Sequence, residues 1–336
     1  VLLTGAALSK SGKDLKGFFG GGGNIPFGMS GLSLFMGFFS AGTFVVWGSI
    51  AYSHGFVAIV IQLTMAVAGF LVGSFIAPRW NRQGCLTAAE YITTNYGERT
   101  QKSYTYLFLA VSIFTSGSFL YPVAKILEVA AGVPLTVSII ALGAFCIIYT
   151  TLGGLRGVMV TDVLQFVILF MAVVIAIPLS FGKIGGVEEF FDKAPQAFFE
   201  CFNSEYTPWF IFAFCLYNSV FIGGNWSYVQ RYTSVKSPSD AKKVGWLFGS
   251  LYLISPILWM LPPMIYRIYN PGLVGLDNEN AYLLMCKEAL PSGFLGLMLG
   301  GMVFATASSL NGTLNISAGV FTNDIYKRLH PAASDR

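Results

Sequence analysis

The sequence predicts an all-α polytopic membrane protein, a bundle of about eight transmembrane helices. Two observations carry this: eight long apolar runs, and a shortage of charge. Of 336 residues, 54% are hydrophobic and only 11% are charged, where a soluble domain carries about 25% charged residues. A third observation removes the β-barrel: spanning strands would alternate over about ten residues, and these runs do not. The same composition excludes a disordered tail, a collagen-like fibre, a disulfide-rich module and a soluble enzyme. The net charge of +4 is too small to argue for a nucleic-acid partner. The implied partner is the lipid bilayer.

A spanning helix needs about 20 apolar residues. The runs lie at 31–52, 56–77, 104–128, 135–152, 159–181, 209–229, 246–267 and 292–320. Before them, residues 1–29 read as the last turns of an N-terminal helix followed by a linker with Lys10, Lys13 and Lys16. This order of apolar and basic residues is the reverse of a secretory signal, and a fragment is expected at both ends. Gly20 to Gly23 read as a flexible link, since no Lys-Ser/Thr follows to make a phosphate loop.

Orientation follows from the basic residues. With the first full span entering from the cytoplasm, fifteen of the twenty Lys and Arg residues fall on the cytoplasmic side, Arg79, Arg156, Arg231 and Lys243 among them. Such a bias fixes topology in membrane proteins. The segment 183–207, rich in Glu, is then an external loop, and the tail 331–336 is cytoplasmic. Five cysteines show no C-x-x-C spacing, and the two histidines are far apart, so no metal cluster is expected. Cys201 and Cys286 share the outer side, and two free thiols are the preferred reading.

Two runs carry helix-weakening interruptions. The first has Ser40-Ala41-Gly42-Thr43; the sixth has Gly223-Gly224-Asn225. Broken helices at matching positions of two halves point to a transporter's binding site, because unwound backbone in lipid must find partners. The alternative is that small residues only allow close packing. The eighth run reads Ala305-Thr306-Ala307-Ser308-Ser309, and positions 305, 308 and 309 share a helix face. Such oxygens suit a hard cation, although Ser and Thr also serve as packing residues. Asp162 stands early in the fifth run, where a carboxylate is costly unless paired or in a polar cavity. Lys125 and Glu128, three apart, read as a local ion pair. Asn225, Asn311 and Asn315 begin glycosylation triplets, but all lie in spans and read as chance matches.

The stretch Gly153-Gly154-Leu155-Arg156-Gly157-Val158-Met159-Val160-Thr161-Asp162-Val163-Leu164-Gln165 resembles the signature of the sodium/solute symporter family, which includes the sodium/glucose cotransporters. Thr87-Ala88-Ala89-Glu90-Tyr91, Gln230-Arg231-Tyr232 and Phe321 to Tyr326 resemble further family segments, in order. The resemblance implies a LeuT-type inverted-repeat bundle: a first five-helix repeat over 30–182, the loop 183–207, and a partial second repeat over 208–330 lacking its last two helices. It implies a non-enzymatic sodium-coupled symporter of a small organic solute in the cell membrane, working by alternating access, with Na+ as the bound ion. Carried over residue by residue, the sodium ligands are the carbonyls of Met36, Phe39 and Ala305 and the hydroxyls of Ser308 and Ser309. Asp162 matches part of a second cation site in some members, but Asn311 and Gly312 stand where those members have serines. Thr43, Asn218, Gly223 and Gly224 are the expected substrate residues. Rival readings are a solute-sensing module of a signalling protein and a proton-coupled carrier using Asp162. Substrate identity and oligomeric state stay open.

Overall fold

A computed structural model describes residues 17, 20–85 and 87–330. Lys10, Lys13, Lys16 and the tail 331–336 lie outside the described residues. Twelve helices are numbered here in chain order, leaving aside isolated 3-10 turns and a short final turn. α1 (Phe27–Phe38) and α2 (Thr43–His54) form one bent pair with 61° between its halves. α3 (Phe56–Gln83), α4 (Ala88–Ala131), α5 (Leu135–Ile148) and α6 (Gly154–Ile184) follow. A short helix α7 (Val187–Lys193) leads to α8 (Pro208–Gly224) and α9 (Trp226–Thr233). α10 (Pro238–Tyr269), α11 (Ala281–Ala289) and α12 (Ser292–Tyr326) complete it.

Every apolar run is therefore helical, but not every helix is a full span. Five of them, α3, α4, α6, α10 and α12, are long and apolar enough to cross a bilayer, and the α1–α2 pair makes a sixth. α5 and α8 are apolar but shorter; α8 continues into α9 after a single extended residue, Asn225.

Helix starts follow the local sequence. Thr207 and Ser237 accept hydrogen bonds from the amides of Phe210 and Asp240, each with proline at the first helical position. A side-chain oxygen there satisfies an amide that has no helical partner, and proline loses nothing by lacking one. Thr87 caps α4 in the same way through Glu90 N. α4 turns sharply at Gly97, and the α5–α6 junction at Gly154; both have positive φ (80° and 54°), which only glycine adopts without strain.

α3 and α10 pack along each other most closely. Gly69 and Gly73 on α3, and Gly245 and Gly249 on α10, are each four residues apart and so lie on one face. A Cβ on Gly245 would stand 2.4 Å from Gly73 Cα, and one on Gly69 would stand 2.9 Å from Gly249 Cα. The two backbones touch, as small residues at this spacing allow in membranes. α1 lies against α10 and α6, and α12 lies along α6 and α4. Phe35, Phe44 and Trp259 are buried in the shared core. α4 turns Ile113 and Phe114 outward, 72% and 79% exposed; in a bilayer these face lipid at no cost.

The structure corrects two expectations about charge. Lys125 pairs with Glu279 at 2.8 Å rather than with Glu128, so it ties α4 to the turn before α11. Arg231 is not a cytoplasmic surface charge but is 2% exposed inside the bundle. Cys201 and Cys286 are free, the first exposed and the second buried.

Candidate functional site

The bend between α1 and α2 exposes backbone that the helix no longer satisfies. Phe39 is extended (φ −94°, ψ 113°), and its amide still turns back to the Met36 carbonyl at 3.0 Å. The partners for the rest come from α12. Ser309 Oγ donates to the carbonyl of Gly37 at 3.1 Å and approaches that of Phe39 at 3.4 Å. Thr306 Oγ1 accepts the Ala41 amide at 2.7 Å and donates to the Met302 carbonyl at 3.0 Å. Ala305 is fully buried on the same helix. The predicted sodium residues Phe39 and Ser309 are thus in contact, with Met36 one turn behind and Ala305 one turn along α12.

Ser308 turns elsewhere and donates to Asp162 Oδ1 on α6. The other oxygen of that carboxylate accepts from Ser33 Oγ of α1 at 2.5 Å. Ser33 in turn accepts from Arg231 Nε at 3.3 Å, whose Nη1 donates to the Ser227 carbonyl at 2.6 Å. A fully buried carboxylate and a buried guanidinium are therefore linked through one serine hydroxyl. Neighbouring ions of opposite sign lower each other's cost of leaving water. Asn311, beside this network, accepts from Thr150 at 2.8 Å, and a Cβ on Gly312 would lie 3.6 Å from the Arg231 guanidinium.

Sequence reasoning set Thr306 off the face of Ala305, Ser308 and Ser309, and did not place Ser33 or Arg231 in this seam. Thr306 was readable, since it stands three residues before Ser309 and shares its face. Ser33 and Arg231 meet across 198 residues of chain, and no local pattern announces that.

A separate cavity of about 340 Å³ opens between α1, α2, α3, α8 and α10. Thr43 and Asn218 line it, as expected of the substrate residues, together with Gln62, Met65 and six aromatic side chains. Thr43 Oγ1 is engaged with the break, accepting the Ser40 amide at 3.2 Å and donating to the Phe38 carbonyl at 3.3 Å. Gly223 and Gly224 are not among the lining residues. The Gly223 carbonyl accepts from Trp80 Nε1 at 2.8 Å, and Asn225 caps α9 by accepting the Ser227 amide at 2.9 Å. A larger cavity, about 510 Å³, lies away from both sites and is lined by Glu98, Lys102 and Asp324 among others. No cluster of three His, Cys, Asp or Glu side chains suited to a metal ion occurs among the described residues. The seam on α1 and α12 is built from hydroxyls and carbonyls instead, which suit a hard monovalent cation.

Three comparisons agree on kinship. The chain is 28% identical over 343 residues to the sodium/sialic acid symporter SiaT of Proteus mirabilis, covering 98% of this chain and 69% of that protein. It is 28% identical to the sodium/glucose cotransporter of Vibrio parahaemolyticus, covering 96% of this chain and 65% of the relative. With mouse sodium/glucose cotransporter 1 the identity is again 28%, over 98% of this chain and 56% of the relative. The chain thus spans between about half and two thirds of the length of these relatives. A solved structure of a Na+-coupled sialic acid symporter, substrate-bound and outward-open, superposes with a TM-score of 0.87 at 25% identity, over 99% of this chain and 72% of the other. Residues 18–336 match the sodium:solute symporter family, a family of transporters rather than enzymes, and the chain is a multi-pass membrane protein that belongs to it.

Proposed function

We propose that the protein is a sodium-coupled symporter of a small organic solute, working by alternating access. The helices form the eight core helices of a LeuT-type inverted repeat, with the second repeat incomplete. The α1–α2 and α8–α9 pairs are then the two equivalent broken helices, five core helices apart. One observation carries the reading: the Ser309 hydroxyl already rests on carbonyls that the α1 break sets free. Sodium, as co-transported substrate, takes the carbonyls of Met36, Phe39 and Ala305 with the hydroxyl of Ser309, and with that of Ser308 once it turns from Asp162 toward the ion. Those ligands are split between α1 and α12, so separating the two helices costs the ion its ligands. An ion that binds one arrangement better than another shifts the equilibrium between them, and this is the source of coupling. Solute binds in the neighbouring cavity beside Thr43 and Asn218. Asp162 acts on the coupling from beneath, through Ser308.

Binding of radiolabelled sodium to the purified full-length protein tests this. Saturable binding that potassium does not compete, and that Ser309→Ala weakens, is the expected result. Sodium-independent uptake that follows pH instead would replace sodium coupling with proton coupling through Asp162.

A further inference from the structure

Two arginines and a lysine at one end of the bundle have no carboxylate to pair with among the described residues. Arg79 and Arg82 stand in the last turns of α3, and Lys242 in the first turns of α10; all three are exposed. The ion pairs belong to His54, Lys125, Lys193 and Lys243 instead. The three cations are grouped by the glycine seam, which runs α3 and α10 antiparallel with Gly69 against Gly249 and Gly73 against Gly245. The same register sets Ala77 against Ala241, both fully buried. Arg79 and Arg82 therefore lie within two turns of the level of Lys242. Their side of α3 follows from the turn before them. A regular helix would set Arg79 about 140° round from Ser74. The chain makes a wide π turn at Val72–Ile76, and its extra residue takes back about 100°, which brings both arginines onto the side of Ser74. The other sides of α3 are taken, by α10 at Gly69 and Gly73 and by Gly223 of α8 at Val72 and Ile76.

Across the seam, Ser74 meets Trp246. The indole Nε1 donates to Ser74 Oγ at 3.0 Å, and Lys242 Nζ stands 4.8 Å over the ring. The Ser74 hydroxyl proton has no acceptor among the described residues. Trp246 is 46% exposed, so indole, hydroxyl and cations share one open patch. Lys243 is on the opposite side of α10, over Phe27 and paired with Asp240 at 3.1 Å. Two turns deeper in the bundle, Val67 on α3 and Leu253 on α10 are each 49% exposed. Along the two helices the surface passes from cations, through an indole, to bare hydrocarbon.

We propose that this patch is a binding site for the headgroup of an anionic phospholipid, bridging α3 and α10 on the open side of their seam. The phosphodiester oxygens suit the planar forks of Arg79 and Arg82 and accept the free proton of Ser74. Lys242 adds a third charge, its stem laid along the Trp246 ring and its ammonium free to reach the headgroup. Tryptophan settles at the boundary between lipid and water, which fixes the patch at headgroup depth, and the strip of Val67 and Leu253 takes an acyl chain. Basic residues at this depth attract anionic lipid. A soluble anion would leave the hydrocarbon strip uncovered. A zwitterionic lipid brings its own cation against three others.

The test is native mass spectrometry of the full-length protein released from nanodiscs that hold equal amounts of phosphatidylglycerol and phosphatidylcholine. The mass of the retained lipid identifies it. The expected result is retention of phosphatidylglycerol at least tenfold over phosphatidylcholine. Arg79→Gln with Arg82→Gln should lower that retention at least tenfold, and Lys242→Gln at least threefold. Trp246→Phe keeps every charge, and with it the insertion of the chain, and should still cost at least threefold. If the double arginine variant fails to fold, Lys242→Gln and Trp246→Phe carry the test. Lys243→Gln, on the far side of α10, should change retention less than twofold. Equal retention of the two lipids overturns the proposal. So does a loss in Lys243→Gln as large as that in Lys242→Gln, which would mean diffuse attraction by basic residues rather than a site. Displacement of the lipid by millimolar glycerol phosphate would also overturn it, in favour of a site for a soluble anion.

Discussion

The two broken helices are interrupted in similar sequence and finished in opposite ways. At the α1–α2 break, the freed groups are met by hydroxyls of a different helix: Ser309 on the Gly37 and Phe39 carbonyls, Thr306 on the Ala41 amide. At the α8–α9 break, the freed groups are closed off. Asn225 caps its own helix, and Trp80 holds the Gly223 carbonyl. Hydroxyls can turn and share an oxygen with an ion; an indole and a capping amide, once seated, keep their bond. A gap in a helix is therefore not a binding site until its replacement partners are known. By that criterion the first break is built for exchange and the second for support.

The largest expected effect tests the support side. Asp162→Asn keeps the shape at Ser33 and Ser308 but leaves the buried Arg231 guanidinium without its counter-charge. Removing one partner of a buried ion pair costs about 3–5 kcal/mol, and a hydroxyl-bridged pair should fall near the lower end, read as lost thermal stability and surface expression. A double variant with Arg231→Met should recover much of that loss, which a purely local role for Asp162 would not produce.

Next comes the exchange side. Ser309→Ala should raise the sodium concentration for half-maximal uptake at least tenfold, with surface expression within twofold of the parent. Equal sodium activation in the two proteins would place the ion elsewhere.

Thr306→Ala sharpens the comparison at a smaller scale. The Ala41 amide loses its acceptor, and an unpaired buried donor costs about 1–3 kcal/mol. Both stability and sodium activation should fall, because the same threonine shapes the carbonyls beside it. A helical wheel drawn through Ala305 and Ser308 alone expects this variant to be mild; the geometry at Ala41 expects otherwise.

The smallest effect belongs to the second break. Asn225→Ala removes a helix cap worth about 1 kcal/mol and should lower the thermal midpoint while leaving sodium activation unchanged. A shift in sodium activation comparable to that of Ser309→Ala would erase the distinction between the two breaks.

Much of this was legible in the sequence, for physical reasons. Apolar runs report helices because lipid admits little else, and all eight were found as helical segments. The first break was readable from Ser40-Ala41-Gly42, since small and polar residues are poor reasons to continue a helix in an apolar setting. Spacing placed Ser308 and Ser309 side by side on α12, but it did not show that they part, Ser308 to Asp162 and Ser309 to the α1 carbonyls. What was not legible lies in long-range partnership. Arg231 looked like a cytoplasmic anchor because a basic residue near a helix end usually is one, and only the approach of α1 and α6 turns it inward. Lys125 had a plausible partner three residues away and found a better one on a distant turn. Gln62 drew no reading from the sequence, because only assembly of the bundle places it on a cavity.

The glycine seam between α3 and α10 has a consequence for how such a molecule moves. Packed side chains give most helix interfaces several rotamer combinations, and switching between them is how helices slide or rotate past each other. Where Gly69 and Gly73 meet Gly245 and Gly249, backbone lies against backbone, flanked by the rings of Phe70, Trp246 and Phe248. A shift along this seam would drive one backbone into the other. α3 and α10 therefore lose their independent degrees of freedom and travel as a single lever, carrying Gln62 and the Tyr252 wall of the cavity together. Motion has to be taken up elsewhere, at joints such as Gly97 and Gly154, where the chain already departs from helical geometry.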